Sequence, residues 1–206
     1  MKITKVPVGA LQTNCYIVSN EKTKEAFVID PGHNYSGLYN KIDETGCRLV
    51  AVLLTHAHFD HILGLPGIKE RYNVPVYCLD EEKEVLSDPY LNGTEVIRHP
   101  ASFAADGCFS DGEETVIAGI KLKVLATPGH TKGSACFYIE DEKVLFSGDT
   151  LFNRGIGRTD LATGDPSSIL RSIAEKLLVL PADTEVFPGH GPETTIGDEK
   201  ENNPFF

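Results

Sequence analysis

Nothing in this 206-residue chain is apolar for long. The longest clear run, Leu49 to Leu54, falls far short of the roughly 20 residues a membrane helix needs, so no membrane partner is expected. The first twenty residues, MKITKVPVGALQTNCYIVSN, lack the apolar centre of a secretion signal. Cysteines are few and unpaired in pattern. Cys15, Cys47, Cys78, Cys108 and Cys136 are scattered, odd in number and form no CxxC, which argues against a disulfide framework and for reduced thiols in the cytoplasm. Positive charge is scarce. Nineteen Lys and Arg face thirty Asp and Glu, and a net charge of −11 repels phosphate backbones, so nucleic acid is not an expected partner. Short-period repeats and low-complexity segments are absent too. The remaining composition, 41% apolar and 24% charged, is that of an ordinary globular protein, read as one domain over residues 1–206.

Local patterns supply the elements. Asn14 to Val18 and Ala26 to Ile29 read as strands, and Asp30-Pro31-Gly32 as a turn. Leu38, Tyr39 and Ile42 have helical spacing, with Gly46 as the stop. Arg48 to Leu54 reads as a buried strand, Leu65 to Tyr72 as a helix and Val74 to Leu79 as a strand. Ser87 to Asp111 is irregular and reads as loops over one face. Ile120, Leu122 and Val124 alternate with lysines as in a half-buried strand, and Ala135 to Ile139 with Lys143 to Phe146 form a hairpin. Asp165 caps a helix whose stripe is Ile169, Leu170, Ile173, Ala174, Leu177 and Leu178, and Thr184 to Phe187 is a last strand. Helices are therefore expected on the outer faces of two sheets. The acidic run Asp198 to Glu201 reads as a solvated face.

Three of the seven histidines crowd into THAHFDH, residues 55–61. Imidazole is the commonest metal ligand, and carboxylate adds an anionic oxygen. His56 and His58, two apart in an extended segment, point to one side. Asp60 and His61 can aim at a second point. His130, Asp149 and His190 each follow a predicted strand, so all seven can meet on one rim. His56, His58 and His130 could hold one ion and Asp60, His61 and His190 a second, with Asp149 bridging. Ions about 3.5–4 Å apart can share a hydroxide and polarise a carbonyl or phosphoryl oxygen.

The motif His56-Ala57-His58-Phe59-Asp60-His61, followed by His130, Asp149 and His190, resembles the metallo-β-lactamase superfamily over nearly the whole chain. That resemblance implies an αββα sandwich, an α/β four-layer fold with the metal site at one edge of the two sheets. Thr13-Asn14-Cys15-Tyr16, Asp30-Pro31-Gly32, Thr127-Pro128-Gly129-His130-Thr131, Gly157-Arg158-Thr159-Asp160 and the run from Pro188 to Gly197 are similar to glyoxalase II-like hydrolases, most of all the small bacterial members. The implied activity is thioester hydrolysis by two divalent ions, zinc first, with iron or manganese compatible. S-lactoylglutathione is the reference substrate. Asp60 and Asp149 are the expected catalytic carboxylates, with Asp60 orienting a hydroxide. The larger glyoxalase II enzymes grip glutathione with a C-terminal helical domain. Sixteen residues follow His190 here, which leaves the thiol carrier open.

Asp30 reads equally as a turn former and as support for a ligand histidine. Arg158 and Asp160 read as a loop salt bridge ahead of a substrate contact, and His33 and His99 receive no role. The rival activity is a persulfide dioxygenase with one iron on His58, His130 and Asp149, since those enzymes share the Gly-Arg-Thr-Asp motif. A lactonase is a further alternative, and a metal-binding scaffold is the non-enzymatic one.

Overall fold

Some strands are buried on both faces and others on one, and the difference follows where each lies. A computed structural model describes residues 1–206. In chain order its elements are β1 (Lys2–Val8), β2 (Thr13–Asn20), β3 (Glu25–Ile29), α1 (Ser36–Glu44), β4 (Arg48–Leu53), α2 (Phe59–Ile62), α3 (Leu65–Tyr72), β5 (Val76–Leu79), α4 (Lys83–Ser87) and β6 (Gly107–Phe109). The second half adds β7 (Glu114–Ile117), β8 (Ile120–Ala126), β9 (Ala135–Ile139), β10 (Val144–Gly148), β11 (Leu151–Phe152), β12 (Gly155–Ile156), α5 (Pro166–Ser172), β13 (Glu185–Pro188), β14 (Thr194–Thr195) and α6 (Ile196–Asn202). Strands β1 to β6 form one sheet in sequence order, and the other runs β14-β13-β10-β9-β8-β7.

The sheets pack face to face. Tyr16, Phe27, Ile29 and Leu53 of the first meet Leu122, Val124, Phe137 and Phe146 of the second in one buried cluster. The outer face of the first sheet, through Ile17, Val28 and Val52, is covered by Leu38 and Ile42 of α1, Ile68 of α3 and Val85 of α4. Cys136, Leu145 and Val186 of the second are covered by Ile169, Ile173 and Leu177. The architecture is the expected four-layer αββα sandwich. No helix is long and apolar enough to cross a membrane.

Four local expectations are corrected. Strands β1 and β7 were missed because each is an edge strand with most residues wholly or partly exposed, so no clean alternation marks it. Strand β6 lies inside the segment read as loops; it has three residues and pairs only with β5. The α5 stripe is narrower than drawn. The helix widens to a π turn over Ile173–Leu177, so Ile169, Ile173 and Leu177 are buried while Leu170 and Ala174 face outward. Finally, Glu199 is buried within the supposed solvated run. It accepts hydrogen bonds from the Arg154 N–H at 3.0 Å, Thr194 Oγ1 at 2.7 Å and Asn203 Nδ2 at 2.7 Å, and so ties α6 to the β11–β12 hairpin.

Candidate metal centre

Strand ends deliver every predicted ligand to one edge of the sandwich. Strand β4 runs out at Leu53, His56 follows, and His58 opens the short helix α2 that carries Asp60 and His61. His130 lies in the turn after β8, Asp149 directly after β10, and His190 two residues beyond β13. The seven converge, although they come from both sheets.

Two trios emerge, His56/His58/His130 and Asp60/His61/His190, and within each the ligand atoms lie within 4.8 Å of one another. His58 Nδ1 is 2.9 Å from His130 Nε2. Asp60 Oδ2 is 3.2 Å from His190 Nε2 and 3.5 Å from His61 Nε2. Asp149 stands between the trios: Oδ1 is 3.5 Å from His61 Nε2, and Oδ2 is 3.7 Å from His130 Nε2 and 3.5 Å from His190 Nε2. Donors on a tetrahedral ion with bonds near 2.0–2.1 Å stand about 3.3 Å apart, close to these spacings. Three of the four buried side-chain polar atoms that lack a hydrogen-bond partner are His56 Nε2, His61 Nε2 and Asp149 Oδ1. Such atoms are costly unless something satisfies them, and an N/O donor set of this kind fits a divalent cation.

Groups behind these histidines fix which ring nitrogen faces inward. Asp30 Oδ2 lies 2.9 Å from His61 Nδ1, and the carboxylate also accepts from the Thr55 N–H at 2.8 Å and Thr55 Oγ1 at 2.6 Å. Asp30 thus stands behind the His61 ring, and its own backbone turns with φ +51°. Asp30 forms a third possible trio with His56 and His61, but its oxygens already have these partners. Thr55 Oγ1 sits 3.1 Å from His56 Nδ1, and the Arg158 carbonyl is 2.8 Å from His130 Nδ1. The inward nitrogen is Nε2 for His56, His61, His130 and His190, and Nδ1 for His58.

Sequence reasoning gave no role to several supporting residues. Thr13 Oγ1 donates to Asp60 Oδ2 at 2.8 Å. Asn14 Nδ2 donates to the carbonyls of Pro188 and Gly191, both at 2.9 Å, and Tyr16 hydroxyl to Pro188 at 2.7 Å, so β2 of one sheet holds the His190 loop of the other. The Thr-Asn-Cys-Tyr motif was the available signal. Glu82 had none. It is fully buried and accepts from the Ala57 N–H at 2.7 Å, from Thr131 Oγ1 and from the Gly133 N–H at 3.0 Å, which clamps the His56–His58 turn to the His130 turn. Gly189 explains the tightness of the Pro-Gly-His turn, because a Cβ there would fall 2.2 Å from Asp149 Oδ1 and 2.9 Å from His61 Cε1.

Burial, reinforced by the neighbouring His130 and His61, pulls His58 down to about 3. His56 is lowered for the same leading reason. Burial also acts against a charged His61, yet Asp60, Asp149 and Asp30 outweigh it and hold that ring up to about 10. Asp60 is depressed below the usual carboxylate range: burial opposes this, and His61, His190 and Thr13 overcome it. The field at the second trio thus favours an added positive charge, as a cation site requires.

Above the cluster opens a cleft of about 680 Å³. His58, Asp60, His130, Asp149 and His190 lie on its polar floor, and Arg158 and Asp160 line it. These last two also form the expected salt bridge, with Arg158 Nε and Nη2 each 2.7 Å from an Asp160 oxygen.

A family model described as the metallo-beta-lactamase superfamily matches residues 8–190, the span that contains all seven convergent residues. The chain belongs to that superfamily. Among curated members it is 43% identical to a probable metallo-hydrolase, YqgX of Bacillus subtilis, over all of this chain and 97% of that one. It is 37% identical to the hydroxyacylglutathione hydrolase GloC of Haemophilus influenzae, over all of this chain and 98% of that one. Among solved structures, the BLEG-1 B3 metallo-beta-lactamase superposes with a TM-score of 0.94 at 41% identity, covering 99% of both chains. TTHA1623 in a di-iron-bound form gives 0.85 at 33%, covering 98% of this chain and 100% of that one. ETHE1 from Myxococcus xanthus gives 0.83 at 29%, covering 99% and 84%. The superfamily model and the hydrolase names of the YqgX and GloC relatives support a metal-dependent hydrolase as the activity class.

Proposed function

We propose that this superfamily member is a two-metal thioester hydrolase of glyoxalase II type. One observation carries the reading: two separate trios of nitrogen and carboxylate donors share Asp149 between them. His56, His58 and His130 would hold one divalent ion, Asp60, His61 and His190 the other, and Asp149 would touch both. Zinc suits the donors, and iron or manganese suits them too. A bound pair of such ions supplies Lewis acidity for a carbonyl and ionises water near neutral pH. The chain's own residues do the rest. Asp60, fixed by Thr13 and lying beside His61 and His190, would orient the attacking oxygen. Asp30, Thr55 and the Arg158 carbonyl hold the rings of His61, His56 and His130. A thiolate departs without needing a strong acid. The 37% identity to GloC supports this reaction.

The second reading is the one-iron dioxygenase on His58, His130 and Asp149. Those three residues also converge, and the ETHE1 superposition is close. The complete second trio favours hydrolysis. Metal-loaded protein should cleave S-acyl thioesters and lose that activity to a chelator. Asp149→Asn should lose activity and metal content together; full activity in that variant defeats the scheme. A lactone, a β-lactam and a persulfide in the same panel test the competing activities.

A further inference from the structure

We infer that the substrate is an uncharged thioester bearing an extended apolar acyl chain, an inference that rests on the thioester-hydrolase reading. The cleft has a polar floor and apolar walls. Phe59, Tyr90 and Val96 stand on one side, and Leu11, Phe152 and Leu161 are among the other apolar lining residues. Several are unusually open for large apolar side chains: Val96 is 78% exposed, Tyr90 63% and Leu11 54%. Tyr90 and Val96 are nevertheless carried on a segment held in position. The buried Asn92 donates to the Leu86 and Ala101 carbonyls, and its own carbonyl accepts from the Phe59 N–H at 2.8 Å, which fastens the Tyr90–Val96 wall to the ligand-bearing helix α2. Exposed apolar groups fixed around the mouth of a concave site mark a surface made to cover something apolar.

Charge points the same way. Arg158 is the only lysine or arginine that lines the cleft, and Asp160 occupies its guanidinium edge. The tripeptide glutathione carries two carboxylates, and nothing else in the lining offers them a fixed cation outside the histidine floor. The net charge of −11 adds a further penalty for an anionic carrier.

The test crosses three acyl groups with two thiols on the metal-loaded full chain: lactoyl, acetyl and octanoyl esters of N-acetylcysteamine, which is neutral, and of glutathione. A fully buried methylene is worth about fourfold in binding and a half-buried one about twofold, so six added methylenes predict on the order of 60-fold in kcat/KM for octanoyl over acetyl. The neutral octanoyl ester should exceed its glutathione counterpart by about tenfold or more. Val96→Asp, at a position too exposed to unfold the chain, should shrink the octanoyl-to-acetyl ratio below about tenfold. Calorimetry provides a readout without turnover: the thioether S-octyl-N-acetylcysteamine should bind more tightly than S-octylglutathione. A flat chain-length series, preference for S-lactoylglutathione, or the reverse order in calorimetry overturns this inference and leaves the hydrolase reading standing. Failure to hydrolyse any thioester, with turnover of a persulfide or β-lactam instead, overturns the hydrolase reading and this inference with it.

Discussion

Replacing Glu82 with alanine frees the His56–His58 turn from the His130 turn, both on one side of the centre. Its carboxyl is the acceptor for two buried backbone donors, the Ala57 N–H between His56 and His58 and the Gly133 N–H shortly after His130. Removing it leaves both donors unsatisfied at about 1–3 kcal/mol each, so the variant should lose about 2–6 kcal/mol. For a chain of this size that lowers the midpoint of thermal unfolding by on the order of 5–20 °C. The clamp touches only the His56/His58/His130 side. Loss of support behind metal ligands weakens affinity by roughly 10–100-fold, and this loss should fall on one ion of the two. Glu82→Gln keeps one acceptor oxygen and should fall between the variant and the parent. The assays are calorimetric melting and a metal titration against a competing chelator. Unchanged melting within about 0.5 kcal/mol, the usual range of a surface substitution, would refute the clamp. Equal weakening of both ions would refute the division into trios.

Gly189→Ala would put a methyl carbon against Asp149 Oδ1 and His61, so a loss of at least ~10-fold in kcat/KM is expected by steady-state kinetics, with the fold intact by circular dichroism. Asp30→Asn removes the carboxylate behind His61 and should weaken metal binding by about 10–100-fold in chelator competition. The pH response of metal-free protein follows from His61. Its folded pKa of about 10 lies above the unfolded value near 6.5, so its stabilisation is complete below about pH 6.5 and is lost as pH rises toward 10. Melts of chelator-treated protein should therefore fall over that alkaline window, and loading metal should remove the fall; a flat profile in the metal-free protein contradicts it. His58 works in the opposite sense. Its folded pKa of about 3 makes its contribution present above pH 6.5 and lost on acidification toward 3, which melts at pH 4 to 7 would detect.

The sandwich was legible where a strand has both faces or one clean face buried. Arg48 to Leu53 and Ile120 to Ala126 carry such patterns, and both were read within a residue or two. Edge strands β1, β6 and β7 were not, because an edge pairs on one side only and tolerates polar residues. The seven convergent residues were legible as a pattern: three histidines and an aspartate crowd into THAHFDH, and His130, Asp149 and His190 each follow a strand, though any one of them alone reads as a loop residue. Their support was harder to see. Thr13 and Asn14 reach the site only because two sheets meet there, and Glu82 lies in an acidic triplet, Asp80-Glu81-Glu82, with nothing in its spacing to mark one member. Which carboxylate of such a run turns inward depends on donors 49 and 51 residues away in sequence, at Thr131 and Gly133.

The most direct test is metal content by mass spectrometry on protein purified without chelator or added metal. The account predicts about two divalent ions per chain, both lost in Asp149→Asn. A single iron per chain, fully retained when Asp60 or His190 is replaced, would contradict it.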